Sequence, residues 1–521
     1  MLKLERTQVL KNVGSSWFSL GINVVVGIFL SPFIMHRLGD TAFGIWVLIF
    51  SITGYYGIFD LGIRSSIIRY VSKYTATNEI DQLARHVNTS LATYTGIGAL
   101  SMLVTIVLSA YVDHFFKIPP EMRTQARWLL LMVGASVSLG FPLGVSGGIL
   151  EGLQRYYLLN WTAIGMSLLR AGLIVFFLNR GYGLVTIAMI TLALPVVVSV
   201  MRVIIVAHLL PLPYGLKYVD RESFRHMANF GGATMLVIVA ARLRFQTDEM
   251  VIGSMLSAAA ITYFSIAARI MDYAFQVVVT LAQVFVPMTS QSEAVGNLDR
   301  VRKIYIAGSR ACALTTFPIT AMVLILGKSV IEVWVGRKYV PLSYPVLVIL
   351  AIPMTLLMMQ AASSRILMGM GRHRKLATVA LIEGIGNLIL SIALVRPLGI
   401  VGDALGTAIP LTCTMLYFTP RHMRTQLGVP VRTFLREAYT LPLLLVMPFI
   451  AVLLLMQSWF HAHHLWQLVV QAGAGGIVYG LGLLWAYRTK RAFHIGELIE
   501  KKAAPVEEPV PALQDGYREE I

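Results

Sequence analysis

The sequence predicts an all-α polytopic membrane protein with about 14 transmembrane helices. The chain is 56% hydrophobic and only 13% charged, whereas soluble domains are about 45–50% apolar and about 25% charged. This low charge density continues from residue 12 to about residue 487 without an intervening polar domain. Stretches of about 20 apolar residues, the length that crosses a bilayer core, recur throughout. A single membrane domain therefore accounts for the composition, and a soluble protein is excluded.

Polar turns divide the chain into individual spans. The first span follows a basic N-terminal segment and is too long for the apolar part of a signal peptide, so we interpret it as an uncleaved helix. The polar, acidic segment 488–521 is predicted to be a disordered cytoplasmic tail. The predicted spans are 13–36, 42–68, 89–112, 127–150, 159–178, 183–208, 231–254, 258–288, 309–327, 343–369, 376–395, 402–420, 438–458 and 465–487.

The loop charges predict the orientation. If the N-terminus is cytoplasmic, about 27 of the 43 basic residues fall in cytoplasmic segments, about 9 in outside loops and about 7 in spans. This asymmetry predicts a multi-pass membrane protein with both termini in the cytoplasm. It also explains the formal charge of +17 without a nucleic-acid partner. All outside connections are short, so no folded outer domain is available to hold an external active site.

The chain contains an internal repeat. Three motifs recur in the same order at an offset of about 217 residues. They are ILEGLQR at 149–155 with ILMGMGR at 366–372, Gly183-Leu184-Val185 with Gly399-Ile400-Val401, and Asn78 with Asn297. Each half contains six spans, an even number, so both halves have the same topology. Parallel repeats of this kind are related by an axis along the membrane normal, with the substrate path between them.

The repeat defines the predicted domains. Each half forms a six-helix lobe, and the polar segment between the halves is the composition shift large enough to be a hinge. The predicted domains are an N-terminal lobe (1–210), a cytoplasmic linker (211–230), a C-terminal lobe (231–420), helices 13 and 14 (421–487) and the tail (488–521).

Charged residues inside the spans are the candidate functional groups, because burying charge in a membrane is costly. Several have a partner of opposite charge three or four residues away on the same helix face. Such pairs either neutralise themselves or line a water-filled cavity, and the sequence leaves both interpretations open. The pairs are Asp60–Arg64, Arg244–Asp248 and Arg269–Asp272. The candidate substrate-binding residues are Arg64, Arg170, Arg242, Arg244 and Arg269, and the candidate ion-coupling residues are Asp60, Asp248, Glu249, Asp272 and Glu383.

Other polar residues have structural interpretations. We interpret Arg365 as extending from its span to the cytoplasmic surface, and Cys312 and Cys413 as small core residues. The outside segment 461–464, HAHH, is interpreted as a solvated loop because no carboxylate or thiol accompanies it. We therefore predict no metal site and, apart from H⁺ or Na⁺ as a coupling ion, no cofactor.

Enzyme motifs are missing from the sequence. It has no P-loop, no G-x-S-x-G and no dinucleotide-binding fingerprint after a strand. We predict that the protein is not an enzyme and that ATP is not its direct energy source. If the protein were an enzyme after all, the alternative would be a glycan polymerase or an acyltransferase embedded in the membrane. It is disfavoured because a large outside loop or a buried histidine is not visible.

Motifs spread over most of residues 10–420 resemble a known family. They are HRLGDTAFGIW, FDLGIRSSIIRYVSKY, ILEGLQRYYLLN, QTDEMVIGSMLSAAAITYFSIAARI, MGMGRHRKLA and PLGIVGDALGT. They are similar to the polysaccharide transporter, or oligosaccharide flippase, family of the multidrug/oligosaccharidyl-lipid/polysaccharide (MOP) flippase superfamily. The resemblance implies a V-shaped pair of six-helix lobes, alternating access and no covalent chemistry. It places Asp60, Arg64, Asp248 and Arg269 in the cavity, whereas Asp403 stands where the family often has a small or apolar residue.

The resemblance also implies a function. The expected activity is a flippase that moves a polyprenyl-diphosphate-linked oligosaccharide, an O-antigen or exopolysaccharide repeat unit, to the outer face of the inner membrane. We expect an ion gradient to reset the carrier, with Asp248, Glu249 or Glu383 as the titrating group. Expected partners are the polymerase and glycosyltransferases of the same pathway, and we expect a monomer. The alternatives are a lipid II flippase of peptidoglycan synthesis and a multidrug or metabolite antiporter.

Overall fold

The computed structural model describes residues 6–372 and 374–489, and the regular elements in these ranges are helical. The predicted tail, from residue 490 onward, lies outside the described residues. The α-helices are α1 (Arg6–Leu38), α2 (Asp40–Gly54), α3 (Ile63–Thr77), α4 (Ile80–Phe115), α5 (Arg123–Gly152), α6 (Tyr156–Asn179), α7 (Leu184–Leu209), α8 (Arg221–Phe245), α9 (Asp248–Met255), α10 (Ala258–Ala282), α11 (Phe285–Ala294), α12 (Leu298–Trp334), α13 (Val340–Met359), α14 (Ala361–Gly369), α15 (Arg374–Leu398), α16 (Ile400–Cys413), α17 (Thr419–Leu427), α18 (Val431–Trp459) and α19 (Leu465–Arg488).

Within the described residues, 13 helical segments are long and apolar enough to cross a bilayer. Each coincides with a predicted span, so the polytopic helical fold is confirmed. The remaining predicted span, 231–254, forms α8 and α9, which are separated at Gln246 and Thr247. The last turn of α8 contains Arg242 and Arg244, and the first turn of α9 contains Asp248 and Glu249. A single long apolar helix therefore does not form at this point.

The second predicted span is also interrupted. It was expected to be continuous over 42–68, but α2 leads into a short 3₁₀ turn that ends at Asp60, and α3 begins only at Ile63. Between them, Leu61 and Gly62 have φ values of 50° and 75°. This left-handed conformation ends a helix, and glycine adopts it without a Cβ clash. Residues on either side of the break therefore do not share one helix face.

Equivalent helices of the two halves have equivalent neighbours. α1 packs against α6 in the first half as α8 packs against α15 in the second. α5 lies against α4 and α7, and α13 lies against α12 and α16. α18 packs against both α19 and α12, so the two C-terminal helices lie beside the second half. This arrangement agrees with the sequence repeat, while the domain boundaries themselves stay a prediction.

The two halves meet where α2 packs against α10. Asp40, the first residue of α2, is the centre of a group of contacts at the predicted outer end. Its backbone carbonyl accepts a hydrogen bond from Thr262 Oγ1 at 2.6 Å. Its carboxylate accepts hydrogen bonds from Lys338 Nζ at 3.1 Å and from the hydroxyls of Tyr263 and Tyr339. We call these five residues the outer latch, because they join the first half to the second at this end.

The predicted linker, 211–230, is partly helical and is attached to the first half. α8 begins inside it, at Arg221. Asn88 on α4 donates to the carbonyl oxygen of Pro213 at 2.9 Å and accepts from the amide of Gly215 at 2.9 Å. The segment that precedes α8 is therefore held against α4 of the first half, and the linker boundaries stay a prediction.

Candidate functional site

A charged cavity of about 220 Å³ lies at the contact between the two halves. Its charged lining comes from the second half, with Glu249 on α9 and Arg269 and Asp272 on α10. Val47 on α2 lines it from the first half, and Tyr273 adds a phenol ring. We call this space the interface cavity. The expectation that Arg269 and Asp272 share one face of a helix agrees with their position here.

Hydrogen bonds to the first half orient these charges. Arg269 Nη1 donates to Ser31 Oγ on α1 at 3.2 Å, and its guanidinium carbon lies 5.4 Å from the centre of the Phe43 ring on α2. Glu249 accepts a hydrogen bond from Ser51 Oγ on α2 at 2.9 Å. Because both halves hold these side chains, a movement of one half relative to the other changes the cavity.

A second polar group is enclosed in the second half, where α9, α15 and α16 meet. Asp248 is only 6% exposed. Its carboxylate accepts hydrogen bonds from Asn387 Nδ2 at 3.2 Å and from Thr407 Oγ1 at 3.0 Å. Ser391 Oγ donates to Asn387 Oδ1 at 2.9 Å, and Asp403 is fully buried with no hydrogen-bond partner for its carboxylate among the described residues. We call these five residues the oxygen cluster.

The expected pair Arg244–Asp248 does not form. The helix ends at Phe245, so the two side chains belong to different helices and do not share a face. Arg244 instead contacts Glu383 on α15, with N–O distances of 2.5 and 2.8 Å. The Glu383 side chain is 2% exposed and that of Arg244 15%. Glu383, which has no partner on its own helix, therefore finds one on a neighbouring helix.

Asp60 and Arg64 also have other partners. Arg64 Nη2 lies 2.5 Å from Glu151 Oε1 on α5, and the hydroxyl of Tyr94 on α4 donates to Asp60. The break at Leu61 separates the two residues that were expected to pair. Sequence reasoning missed Glu151 and Tyr94. Glu151 lies in the repeated ILEGLQR motif, which was an available signal, whereas an uncharged tyrosine gives none.

Besides Arg64 and Arg244, three more arginines of the predicted spans lie outside the interface cavity and the oxygen cluster. Arg170 on α6 has a buried Nε without a hydrogen-bond partner in the part of the chain that the structure describes. Arg242 on α8 reaches the first half. Its Nη2 lies so close to Gly57 that a Cβ atom at that position would be only 2.6 Å away. Arg365 on α14 places Nη1 3.6 Å from Met368 Sδ. The candidate residues thus form several separate groups rather than one central cluster.

Two expectations about other residues are corrected. Glu332 lies 3.6 Å from His463 Nδ1, so a carboxylate does accompany the histidines of the outside loop. Cys413 is exposed, whereas Cys312 is buried as expected. Across residues 6–372 and 374–489, no group of three or more His, Cys, Asp or Glu side chains is arranged to hold a metal ion.

Comparison with known proteins identifies the family. The family described as polysaccharide biosynthesis protein matches residues 9–293, more than half of the chain. The chain belongs to this family. A curated relative, the uncharacterized membrane protein EpsK of Bacillus subtilis, is 20% identical over 80% of this chain and 83% of its own length. A Shigella flexneri protein named "Putative O-antigen transporter" is 18% identical over 77% of this chain and 94% of its own length.

Solved structures share the fold of this member of the polysaccharide biosynthesis family. The lipid II flippase MurJ, in an inward closed conformation, matches with a TM-score of 0.72 at 16% identity over 92% of this chain and 99% of MurJ. An inward-facing multidrug resistance MATE family transporter of the MOP superfamily gives a TM-score of 0.66 at 16% identity, over 78% and 94% of the two chains. The family resemblance that the motifs indicated is confirmed by the family match, and the solved structures show that the chain shares their fold.

Proposed function

We propose that this protein is a flippase that moves a polyprenyl-diphosphate-linked oligosaccharide, an O-antigen or exopolysaccharide repeat unit, across the inner membrane by alternating access. The interface cavity carries the proposal, because it is charged and both halves orient its side chains. Membership in the polysaccharide biosynthesis family supports the pathway. The name of the Shigella flexneri relative supports transport of a glycan.

The diphosphate sets the main chemical requirement. Moving a charged group unassisted into hydrocarbon costs many kcal/mol, whereas the polyprenyl tail can stay in the lipid. An arginine guanidinium binds phosphate oxygens through parallel hydrogen bonds. Arg269 in the interface cavity and Arg64, which is 51% exposed, fit this role best.

The size of the interface cavity bears on the transport cycle. At about 220 Å³, it is smaller than the about 300–1,000 Å³ of pockets that hold drug-sized ligands. An oligosaccharide therefore enters only after the two halves separate. This requirement favours alternating access over a fixed channel.

We propose further that the oxygen cluster binds the coupling ion, Na⁺ or H⁺. Carboxylate, amide and hydroxyl oxygens are ligands for hard cations, and a buried carboxylate also binds a proton favourably. Asp248 is the proposed binding group, and Asp403 adds a second buried carboxylate. The membrane potential favours export of an anion by about 2.3 kcal/mol per charge per 100 mV. Because the potential acts on the loaded carrier, we assign the ion gradient to the other step of the cycle, the return of the empty carrier.

We propose that the protein lies in the inner membrane with both termini in the cytoplasm. In this orientation the outer latch closes the path on the side where the repeat unit is released. Glycosyltransferases that build the lipid-linked oligosaccharide and a polymerase that consumes it are the proposed partners.

Flipping in proteoliposomes tests the proposal. The probe is a polyprenyl-diphosphate oligosaccharide placed in one leaflet, and its arrival in the other is followed with a membrane-impermeant lectin. Arg269→Gln should lower the rate about tenfold or more, because a hydrogen bond to a charged group contributes about 1.5–3 kcal/mol. Arg180→Gln removes an exposed arginine at the predicted outer end and should keep the wild-type rate.

Other outcomes would contradict the proposal. Flipping of lipid II without flipping of the oligosaccharide would assign the protein to peptidoglycan synthesis. Gradient-driven movement of a cationic drug, with no flipping of either lipid, would make it an antiporter. Oligosaccharide flipping that is unchanged after both ion gradients are collapsed would reject the coupling and leave the flippase activity standing.

A further inference from the structure

A pocket of about 490 Å³ lies at the predicted outer end of the second half, outside the contact between the halves. Its walls come from the end of α12, the beginning of α13 and the loop between α18 and α19. The side chains that matter for its chemistry are Lys328, Glu332, Arg337, Tyr344, His461 and His463. We call it the outer pocket.

Two cations of the outer pocket have no carboxylate partner within the described residues. Lys328 is exposed, and its Nζ lies 5.1 Å from the centre of the Tyr344 ring. Arg337 is exposed as well. Glu332 is the acidic group of the pocket, and it lies 3.6 Å from His463 on the loop. The pocket thus offers two free cations to a ligand, while its carboxylate already contacts an imidazole.

Two tryptophans indicate the depth of the outer pocket in the membrane. Trp459 is the last residue of α18 and Trp466 is the second residue of α19, and they are 77% and 63% exposed. Exposed tryptophans are enriched where the lipid headgroups meet water. Because these two flank the loop that supplies His461 and His463, the pocket lies at the level of the headgroups.

We propose that the outer pocket binds an anionic phosphate group at the membrane surface, with a phospholipid headgroup as its source. Hydrogen bonds from arginine and lysine to phosphate oxygens are charge-assisted and are about twice as strong as those between neutral groups. Arg337 can bind phosphate oxygens in a bidentate manner, and Lys328 adds a compact charge. The bound lipid would contact both α12 and the loop between α18 and α19, and so hold the two C-terminal helices against the second half. The site does not depend on the proposed flippase activity.

Thermal unfolding of the purified full chain in detergent tests the site. The probes are phosphatidylglycerol, phosphatidylcholine and inorganic phosphate. Phosphatidylglycerol should raise the Tm of the wild type above its value with phosphatidylcholine, and Lys328→Gln/Arg337→Gln should lose at least half of that shift. Arg180→Gln/Arg396→Gln removes the same charge from exposed positions at the same end and should keep the whole shift.

A second variant, with the opposite expected effect on the shift in Tm, gives an independent test. Glu332→Gln removes only the negative charge of the pocket, so it should enlarge the shift that phosphatidylglycerol produces. An unchanged shift in Glu332→Gln, or equal shifts in wild type and Lys328→Gln/Arg337→Gln, would overturn the site. Inorganic phosphate that stabilises as strongly as phosphatidylglycerol, at equal phosphate concentration, would overturn the lipid as the source. If Lys328→Gln/Arg337→Gln does not fold, the result with Glu332→Gln decides alone.

Discussion

The two halves share their helix arrangement and differ in how they hold their charges. In the first half, the side chain of Arg64 is 51% exposed and pairs with Glu151. In the second half, Glu383 is 2% exposed in its pair with Arg244, and Asp248 is buried in the oxygen cluster. Arg64 of the first half can therefore contact whatever enters, while Asp248 and Glu383 of the second half are enclosed, and the second half also supplies the charges of the interface cavity.

Under the proposed function, this difference separates two tasks, the contact with the anionic substrate and the binding of the coupling ion. A half-exposed arginine can exchange its carboxylate partner for a phosphate without leaving a buried charge unpaired. A buried carboxylate surrounded by oxygens has room only for a small cation or a proton. From this contrast we infer that anion contact falls to Arg64 and to Arg269 in the interface cavity, and cation binding to the oxygen cluster inside the second half.

The buried ion pair of the second half gives the largest expected effect. Glu383→Leu leaves Arg244 without a partner, and such a loss costs about 3–5 kcal/mol of folding free energy. Arg244→Met/Glu383→Leu should recover most of this loss, because apolar side chains replace a buried pair at little cost. Thermal unfolding in detergent measures both. Glu293→Leu breaks a more exposed pair, with side chains 46% and 30% exposed, and should cost less than about 1 kcal/mol. Equal losses of stability in Glu383→Leu and Glu293→Leu would show that burial does not determine the cost of breaking an ion pair.

Asp248→Asn is expected to have the next largest effect. Removing the charge from the oxygen cluster should lower gradient-driven flipping about a hundredfold, equivalent to about 2.7 kcal/mol. Stability should not fall, because an uncompensated buried charge is itself costly. Flipping with and without an imposed gradient measures the effect, and Asp113→Asn, in an ion pair with Arg127 at the predicted outer end, is the control. If Asp272→Asn loses the response to the gradient and Asp248→Asn keeps it, the coupling site belongs to the interface cavity.

Hydropathy located the spans because a bilayer imposes a similar length on every helix that crosses it. The same reasoning could not locate the partners of the charges. Spacing predicts a contact only where the helix is continuous, and the breaks at Leu61–Gly62 and Gln246–Thr247 fall between the expected partners. These breaks are single turns inside apolar runs, which averaged hydropathy does not resolve.

The sequence could not predict which residues on other helices would contact the charged side chains. Arg244 and Glu383 are 139 positions apart, and only the packing of α8 against α15 brings them together. Asn387 and Thr407 complete the oxygen cluster without any charge that would single them out. Glu383 was recognised as a candidate because it lacked a partner on its own helix, and that signal proved structurally informative.

Arg64→Ala tests the exposed side of the comparison. It should lower flipping about tenfold, equivalent to about 1.4 kcal/mol, and lower stability by less than about 1 kcal/mol, because an exposed ion pair contributes little. Arg64→Lys should recover only part of the rate, since lysine keeps the charge but not the bidentate geometry. Glu151→Gln frees Arg64 and should leave flipping intact or faster. A stability loss in Arg64→Ala as large as that of Glu383→Leu would contradict the contrast between the halves.

The outer latch, which joins the two halves, is expected to show the smallest effect. Asp40→Asn keeps the backbone carbonyl that binds Thr262 and weakens the hydrogen bonds from Lys338 and Tyr339 to the side chain. The loss of about 1 kcal/mol of charge-assisted bonding corresponds to an increase of about fivefold in the ratio of molecules open to closed at the outer end.

Distances between spin labels on the two halves measure this ratio. Labels attached after Glu121→Cys and Arg396→Cys report on the outer end, in a background of Cys413→Ser that removes the exposed native thiol. Asp113→Asn is the matched control, because the arginines that pair with Asp113 belong to the same half. A distance distribution that is the same in Asp40→Asn and in the wild type would mean that the packing of α2 against α10, and not the latch, holds the halves together at this end.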